Sequence, residues 1–316
     1  MRLDSIVRIE FLWYWLDGTG HWIEYGKKHS EHCPATVSSS DLEAAFLADQ
    51  RGIVFFRAGS QLYELNFRDM VQRNLYYRTQ RKVCRWPRLV FFGGEQTHGK
   101  GCLLELSSLP FHLFPSSWDH SALPDIGYKL VAVSNSTKEY NEIKELFEKT
   151  MEGFVIQRLR RNQNPSLWQV FQWQKEQMKK KNGGKEVDER LLFHGTSTSH
   201  LHEICGQNFD WRICGTHGTL YGKGSYFAKD AIYSHRYCKS DSRFQMMFVA
   251  RVLVGDYIQG NVAYLRPPHR PDQRNSFYDS CVDILLDPSI FVIFEKHQIY
   301  PEYIIEYRQA SQCTIM

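Results

Sequence analysis

The sequence predicts a two-domain α+β protein. Its 316 residues exceed what one hydrophobic core usually organises, so two cores are expected. Before residue 90, short strand-like runs surround a single helical pattern, as in a small sheet with one helix. After residue 123, helical patterns alternate with strands and then give way to successive apolar runs, which require a second sheet. The expected division is 8–90 and 123–310 for the two domains, with 91–122 as a linker.

In the first part, FLWYW and HWIEY read as strands joined by the turn Asp17-Gly18-Thr19-Gly20. Ser40-Asp41-Leu42-Glu43 reads as a capping box that opens a helix carrying Leu42, Ala45 and Phe46. GIVFF, QLYELNF and QRKVCRW supply further strands. From Phe91 to Tyr128 the chain is rich in Gly, Ser, Pro and His and lacks periodicity, hence the linker.

The second part opens on the strand GYKLVAV, followed from about Ser136 by a helix with Tyr140, Ile143, Leu146 and Phe147 on one face. FVIQRLRRN is a strand. Asn164-Pro165 is an N-cap followed by a first-turn proline, and Gly183-Gly184 stops the helix it starts. LLFHG, MFVARVLVGDYI, SIFVIF and YPEYIIEY then read as strands. Lys179 to Lys181 reads as the solvated end of that helix rather than a nucleic-acid patch.

Composition narrows the function. A net charge of +4 permits an anionic partner without demanding one. The eight cysteines form no CxxC pair, which suggests reduced intracellular thiols rather than a disulfide framework or zinc ribbon. MRLDSIVRIEFLWYW lacks a signal peptide's apolar core and cleavage site, and no run of about 18 uncharged apolar residues predicts a membrane span. An intracellular protein is expected, cytoplasmic first and nuclear second.

Chemistry concentrates between Leu191 and Cys238. An apolar run delivers His194 onto Gly195-Thr196, and Gly222 and Gly224 lead into Tyr226. Tyr237 follows at what helical geometry makes three turns, with Ser234 at helical spacing before it. Each piece alone has a plain structural reading: a strand end, a tight turn, core aromatics. Together, a histidine, bare backbone and two aromatic rings suit a flat amide ring beside a ribose, the nicotinamide half of NAD+.

HGT, GKGSYFA, YSHRYC, RPP, YDSCVD and YPEYII occur in an order that resembles the catalytic domain of the poly(ADP-ribose) polymerase (PARP) family of ADP-ribosyltransferases. The first part resembles a WWE domain. The pairing is similar to the family branch that joins a WWE domain to a mono-ADP-ribosyltransferase domain, particularly its CCCH-zinc-finger members. Those fingers are absent, so the chain reads as a short form or carboxy-terminal portion, and RNA binding is not expected without them. The resemblance implies a mixed α/β catalytic domain with a split antiparallel sheet core. It also implies NAD+ as substrate, protein side chains as acceptors, and no metal. It assigns His194 to the adenosine ribose, Gly195 and Ser234 to the nicotinamide carboxamide, Tyr237 to stacking on nicotinamide and Tyr226 to its other side. Thr196 belongs to the same NAD+-binding motif.

One departure bears on the reaction. Polymer-forming members carry a glutamate in a segment like NEYIVYD, and SIFVIFE here puts Ile290 at that position, with Glu295 beyond the strand. Isoleucine cannot orient ribose hydroxyls or activate one for the next transfer, so the resemblance implies single transfers through His194, Tyr226 and Ile290 rather than chain growth. The alternative from another class is a catalytically silent ADP-ribose reader, opposed by retention of His194, Tyr226 and Tyr237.

In the WWE-like part, Trp13 and Trp22 match the family's tryptophans. Trp22, Tyr63, Gln72 and Arg81 match positions that line the pocket for ADP-ribose units, through which poly(ADP-ribose) would bind. An aromatic wall with an arginine and an amide suits adenine and phosphates. His29-x-x-His32-Cys33 lacks a fourth metal ligand at a usual spacing and reads as a polar loop. Cys281 has no local activating partner and reads as structural.

Overall fold

A computed structural model describes residues 6–92, 114–119, 121, 123, 127–210, 219–239, 244–271 and 273–310. The chain divides into two units, residues 1–109 and 110–316. Each has its own sheet.

The first unit is a six-stranded antiparallel sheet: β1 (Ile6–Leu16), β2 (Trp22–Glu24), β3 (Ile53–Ala58), β4 (Gln61–Asn66), β5 (Val71–Asn74) and β6 (Gln80–Phe92), in the order β2-β1-β6-β5-β4-β3. The turn after β1 is held as expected, because the Asp17 carboxylate accepts from the Thr19 and His21 N–H groups, both at 2.8 Å. The one helix among its described residues is α1 (Ser39–Ala48), whose N-cap lies two residues before the expected Ser40. Ser38 is its N-cap and Asp41 closes the box, since the N3 carboxylate must reach back to the N-cap N–H, here at 2.8 Å. Trp13 anchors the helix: it is fully buried with Leu42, Phe56 and Phe67, and its indole N–H donates to Glu43 at 3.1 Å. Glu43 in turn takes the Arg85 guanidinium at 2.6 Å.

In the second unit a nine-stranded sheet runs β12-β15-β16-β10-β9-β11-β17-β8-β7. Its members are β7 (Lys129–Ala132), β8 (Phe154–Gln163), β9 (Glu189–Gly195), β10 (Ser225–Ala228), β11 (Gln245–Leu253), β12 (Tyr257–Gln259), β15 (Ser280–Val282), β16 (Ile290–Ile293) and β17 (Ile299–Gln309). A separate hairpin pairs β13 (His269–Arg270) with β14 (Gln273–Phe277). All pairings of the large sheet are antiparallel except β12 with β15. The expected split is visible at its centre, where β9 and β10 are registered only through Phe193 opposite Ala228.

Helices α2 (Lys138–Glu148), α3 (Pro165–Lys181), α4 (Leu201–Gln207) and α5 (Ala231–His235) complete the unit. α2 buries Ile143 and Phe147 against Leu159 and Tyr307, whereas Leu146 stays 38% exposed. Asn164 caps α3 as expected, accepting from the Leu167 N–H at 3.1 Å, and Gly183 and Gly184 close it at φ 68 and 86. The α3 lysines pair internally, Lys179 with Glu186 and Lys181 with Asp279.

Most of the expected linker lies outside the described residues. Within it, Phe91 and Phe92 end β6, and Trp118 is buried with Leu167, Trp168 and Tyr300 in the core of the second unit. That unit therefore takes in part of the segment assigned to the linker.

Candidate active site

The site follows from where the central strands part. On β9, Leu192 and Phe193 are buried on opposite faces of the sheet, the former with Phe209 and Phe227, the latter with Ala231 and Cys238. The same alternation sends His194 to the first face, 4.8 Å from the Phe209 ring, and Gly195 to the second, beneath α5. With β10 parting from β9 on the Tyr226 side of the Ala228–Phe193 pair, a cavity of about 460 Å³ opens, lined by Gly195, Thr196, Tyr226, Tyr233, Ser234 and Tyr237 among others.

His194 is held in one tautomer. Its Nδ1–H donates to the Tyr226 carbonyl at 2.8 Å, which leaves Nε2 as an acceptor. Burial pushes its pKa down to about 4, so the ring is neutral at physiological pH. A neutral Nε2 can accept from a ribose hydroxyl.

Gly195 must be glycine. A Cβ there would stand 1.8 Å from the Ser234 carbonyl oxygen, so backbone meets backbone in a slot no side chain can enter. Ser234 is buried on α5 and lines the same cavity. Such a slot offers fixed donors and acceptors, the arrangement that reads an amide best.

Tyr226 is locked: its hydroxyl donates to the Gly222 carbonyl and accepts from the Tyr221 N–H, both at 2.9 Å. Burial raises its pKa to about 12, which keeps the phenol protonated. Gly222, at φ +128, and Gly224 permit this wall, since a Cβ on either would come within 2.6 Å of the Phe294 ring or the Ile293 carbonyl. Tyr237 does not lie three helical turns from Tyr226. β10 and the five-residue α5 intervene, and Tyr237 sits in the turn after α5.

Ile290 is the first residue of β16, 7% exposed and directly opposite Ala228. It stands on the sheet face shared by Tyr226 and Ala228, at the edge of the cavity and outside its immediate lining. Glu295 is away from this register and accepts from the His297 N–H.

Thr196 lines the cavity beside His194 and Gly195 and bonds His200 Nδ1 at 3.0 Å. Several other lining residues escape sequence reasoning: Phe209 backs His194, and Tyr233 lies 5.8 Å from Tyr237. Arg236 and Lys239 bring two positive charges to the rim. Only Tyr233 carried a signal, its four-residue spacing from Tyr237. Cys281 is buried and its thiol is pushed up to about 12, the opposite of an activated nucleophile.

The first unit has a cavity of about 340 Å³ lined by Tyr63, Gln72, Arg81, Trp15, His32 and Cys33 among others. Gln72 is oriented by Tyr25, whose hydroxyl donates to its carbonyl at 2.7 Å, so the amide nitrogen remains as donor. Arg81 has no carboxylate partner among the described residues. Trp22 lies elsewhere than expected. It pairs with Leu16, on the sheet face of Tyr14 and Cys84, and packs edge-on against Trp86 at 5.2 Å. Trp15, on the other face, takes the aromatic place. His29 and His32 stack at 5.1 Å, and His32 bonds Asp17.

Comparison with known proteins finds both domains. Residues 11–85 match the WWE domain model, and residues 137–269 match the model of the poly(ADP-ribose) polymerase catalytic domain. Protein mono-ADP-ribosyltransferase PARP11 of Mus musculus is 39% identical over 315 residues, which cover 93% of this chain and 91% of that protein. The chain belongs to the PARP family. Within the family it is also similar to protein mono-ADP-ribosyltransferase PARP12 of Mus musculus, 50% identical over 97% of this chain and 44% of the relative. Zinc finger CCCH-type antiviral protein 1 of Mus musculus is 32% identical over 70% of this chain and 23% of its own length. The chain thus spans less than half the length of some curated relatives and nearly all of another.

Proposed function

We propose that this PARP-family chain is a mono-ADP-ribosyltransferase that moves one ADP-ribose from NAD+ to a protein side chain and releases nicotinamide. The observation that carries this reading is the Gly195–Ser234 slot beside the neutral His194: it suits a carboxamide next to a ribose hydroxyl, and Tyr226 and Tyr237 supply flat faces for the ring between.

Nicotinamide would leave when the glycosidic bond from the ribose anomeric carbon to the ring nitrogen breaks, its electron pair going to the departing ring. The ribose passes through an oxocarbenium-like state, as in glycoside chemistry. The residues contribute position: the amide slot holds the leaving group, His194 Nε2 holds the ribose end, and Arg236 and Lys239 offer charge for the diphosphate. A target nucleophile then bonds the anomeric carbon. A carboxylate acceptor would need no proton removed, which fits a cavity whose lining among the described residues contains no Asp or Glu. Ile290 supports stopping at one unit, since it offers no acceptor for a ribose hydroxyl proton.

The first unit is proposed to bind ADP-ribose units, free or in poly(ADP-ribose), with Arg81 facing phosphate and the Tyr25-oriented Gln72 donating to the base or sugar. Action inside the cell, in the cytoplasm, is proposed from the cysteine usage. Release of labelled nicotinamide from NAD+ tests the catalytic reading. A silent reader would release none while still binding ADP-ribose.

A further inference from the structure

We propose that Cys238 and Tyr307 act as positioning residues for the amide slot, setting its width from below. The inference rests on the reading of Gly195 and Ser234 as the carboxamide clamp. Neither residue lines the cavity, and both are buried, Cys238 at 7% and Tyr307 at 0% exposed.

The geometry is specific. α5 is five residues long and has no side-chain cap, so little within the helix fixes its place over β9. Its start is held by the Ile232 N–H donating to Thr150 Oγ1 at 3.3 Å and by burial of Ala231, and its end by the turn after it. The Ser234 carbonyl accepts both from the Tyr237 N–H at 3.0 Å and from the Cys238 thiol at 3.4 Å. The same sulfur would stand 3.1 Å from a Cβ on Gly195. Cys238 therefore touches both sides of the slot, bonded to one jaw and packed beneath the other.

Tyr307 holds that sulfur in place. It lies on β17, between Gln245 of β11 and Ile156 of β8, where the register of β17 on β8 shifts between Glu306 and Tyr307. Its hydroxyl lies beside the Cys238 thiol and bonds His235 Nδ1 at 3.0 Å. Phe147 and Phe154 pack on its ring at 5.2 and 5.9 Å. One phenol thus ties α5, through His235, and the turn after it, through Cys238, to the central sheet. A slot made of two backbone segments from different elements keeps its width only if those elements are tied together, and this phenol ties them at the Ser234 end of α5.

The roles predict different variants. Cys238→Ser keeps a donor for the Ser234 carbonyl, Cys238→Ala removes it, and Tyr307→Phe removes one hydroxyl while leaving the ring packing. Benzamide reports on the slot alone and ADP-ribose, which lacks the amide, on the rest of the cavity. For Cys238→Ala and Tyr307→Phe, benzamide Kd and the KM for NAD+ should rise about tenfold, equivalent to about 1.4 kcal/mol, with kcat at saturation changed less than about twofold. ADP-ribose affinity of the second unit, measured with Arg81→Ala in the first to silence that pocket, should stay within about twofold. Cys238→Ser should recover most of the benzamide affinity.

Unchanged benzamide affinity in folded Tyr307→Phe and Cys238→Ala overturns the proposal. So does a parallel loss of benzamide and ADP-ribose, which would mean general loosening. If Cys238→Ala fails to fold, Tyr307→Phe and Cys238→Ser still decide. Failure of the unaltered protein to bind benzamide at all would instead remove the reading of the clamp, and this proposal with it.

Discussion

Gly195 on β9 and Ser234 on α5 approach so closely that a methyl group on Gly195 would lie 1.8 Å from the Ser234 carbonyl oxygen. No rotamer change can relieve a clash between Cβ and backbone, so Gly195→Ala must push α5 off the strand. The expected result is a loss of NAD+ affinity by more than tenfold with a stability cost of about 1–3 kcal/mol. Calorimetric titration and urea unfolding measure the two separately.

His194 makes stability depend on acid. Its folded pKa near 4 lies below the ordinary value of 6.5, so the unfolded chain binds this proton more readily. Its contribution is fully present above about pH 6.5, falls as the pH drops toward 4, and levels off below. Over that window it amounts to about 2–3 kcal/mol. Comparing urea midpoints at pH 7.5 and 4.5 for the wild type and His194→Gln isolates this part, which the variant should lack.

Ile290 offers no welcome to a carboxylate. The position is 7% exposed and faces Ala228. Ile290→Glu should therefore lower stability by about 2–4 kcal/mol, through the cost of an unpaired buried charge or its neutralisation. A fall in Tm of several degrees is the expected readout.

Arg81 and Trp22 separate the pocket of the first unit from the opposite face of its sheet. Arg81→Ala should weaken ADP-ribose binding by about tenfold to a hundredfold and reduce its salt dependence, as loss of a charge-assisted contact requires. Trp22→Phe should leave affinity unchanged, because Trp22 packs on Trp86 across the sheet from the pocket. Isothermal titration at two ionic strengths distinguishes these outcomes.

What could be read in advance was what local chemistry decides. Asn164-Pro165 starts α3 because cap and proline act within one turn, and the long apolar-rich runs of β1 and β17 declare themselves. The box at α1 was displaced because Ser38 and Ser40 offer equivalent hydroxyls, and only the reach of Asp41 chooses between them. β5, β10 and α5, at four or five residues each, are too short to carry a period. Trp22 could not be assigned to a face without the register of β2 on β1. Arg236 and Lys239 look like any surface charges until the strands part beside them. The cavity depends on the single Phe193–Ala228 pairing, a long-range event with no local signature.

The central claim is single transfer through the His194 cavity, and labelled NAD+ with the purified chain, resolved on a denaturing gel beside His194→Ala, tests it most directly. The account predicts one discrete labelled band for the wild type and its loss in the variant. A ladder of increasing mass, or label that survives His194→Ala, would contradict it.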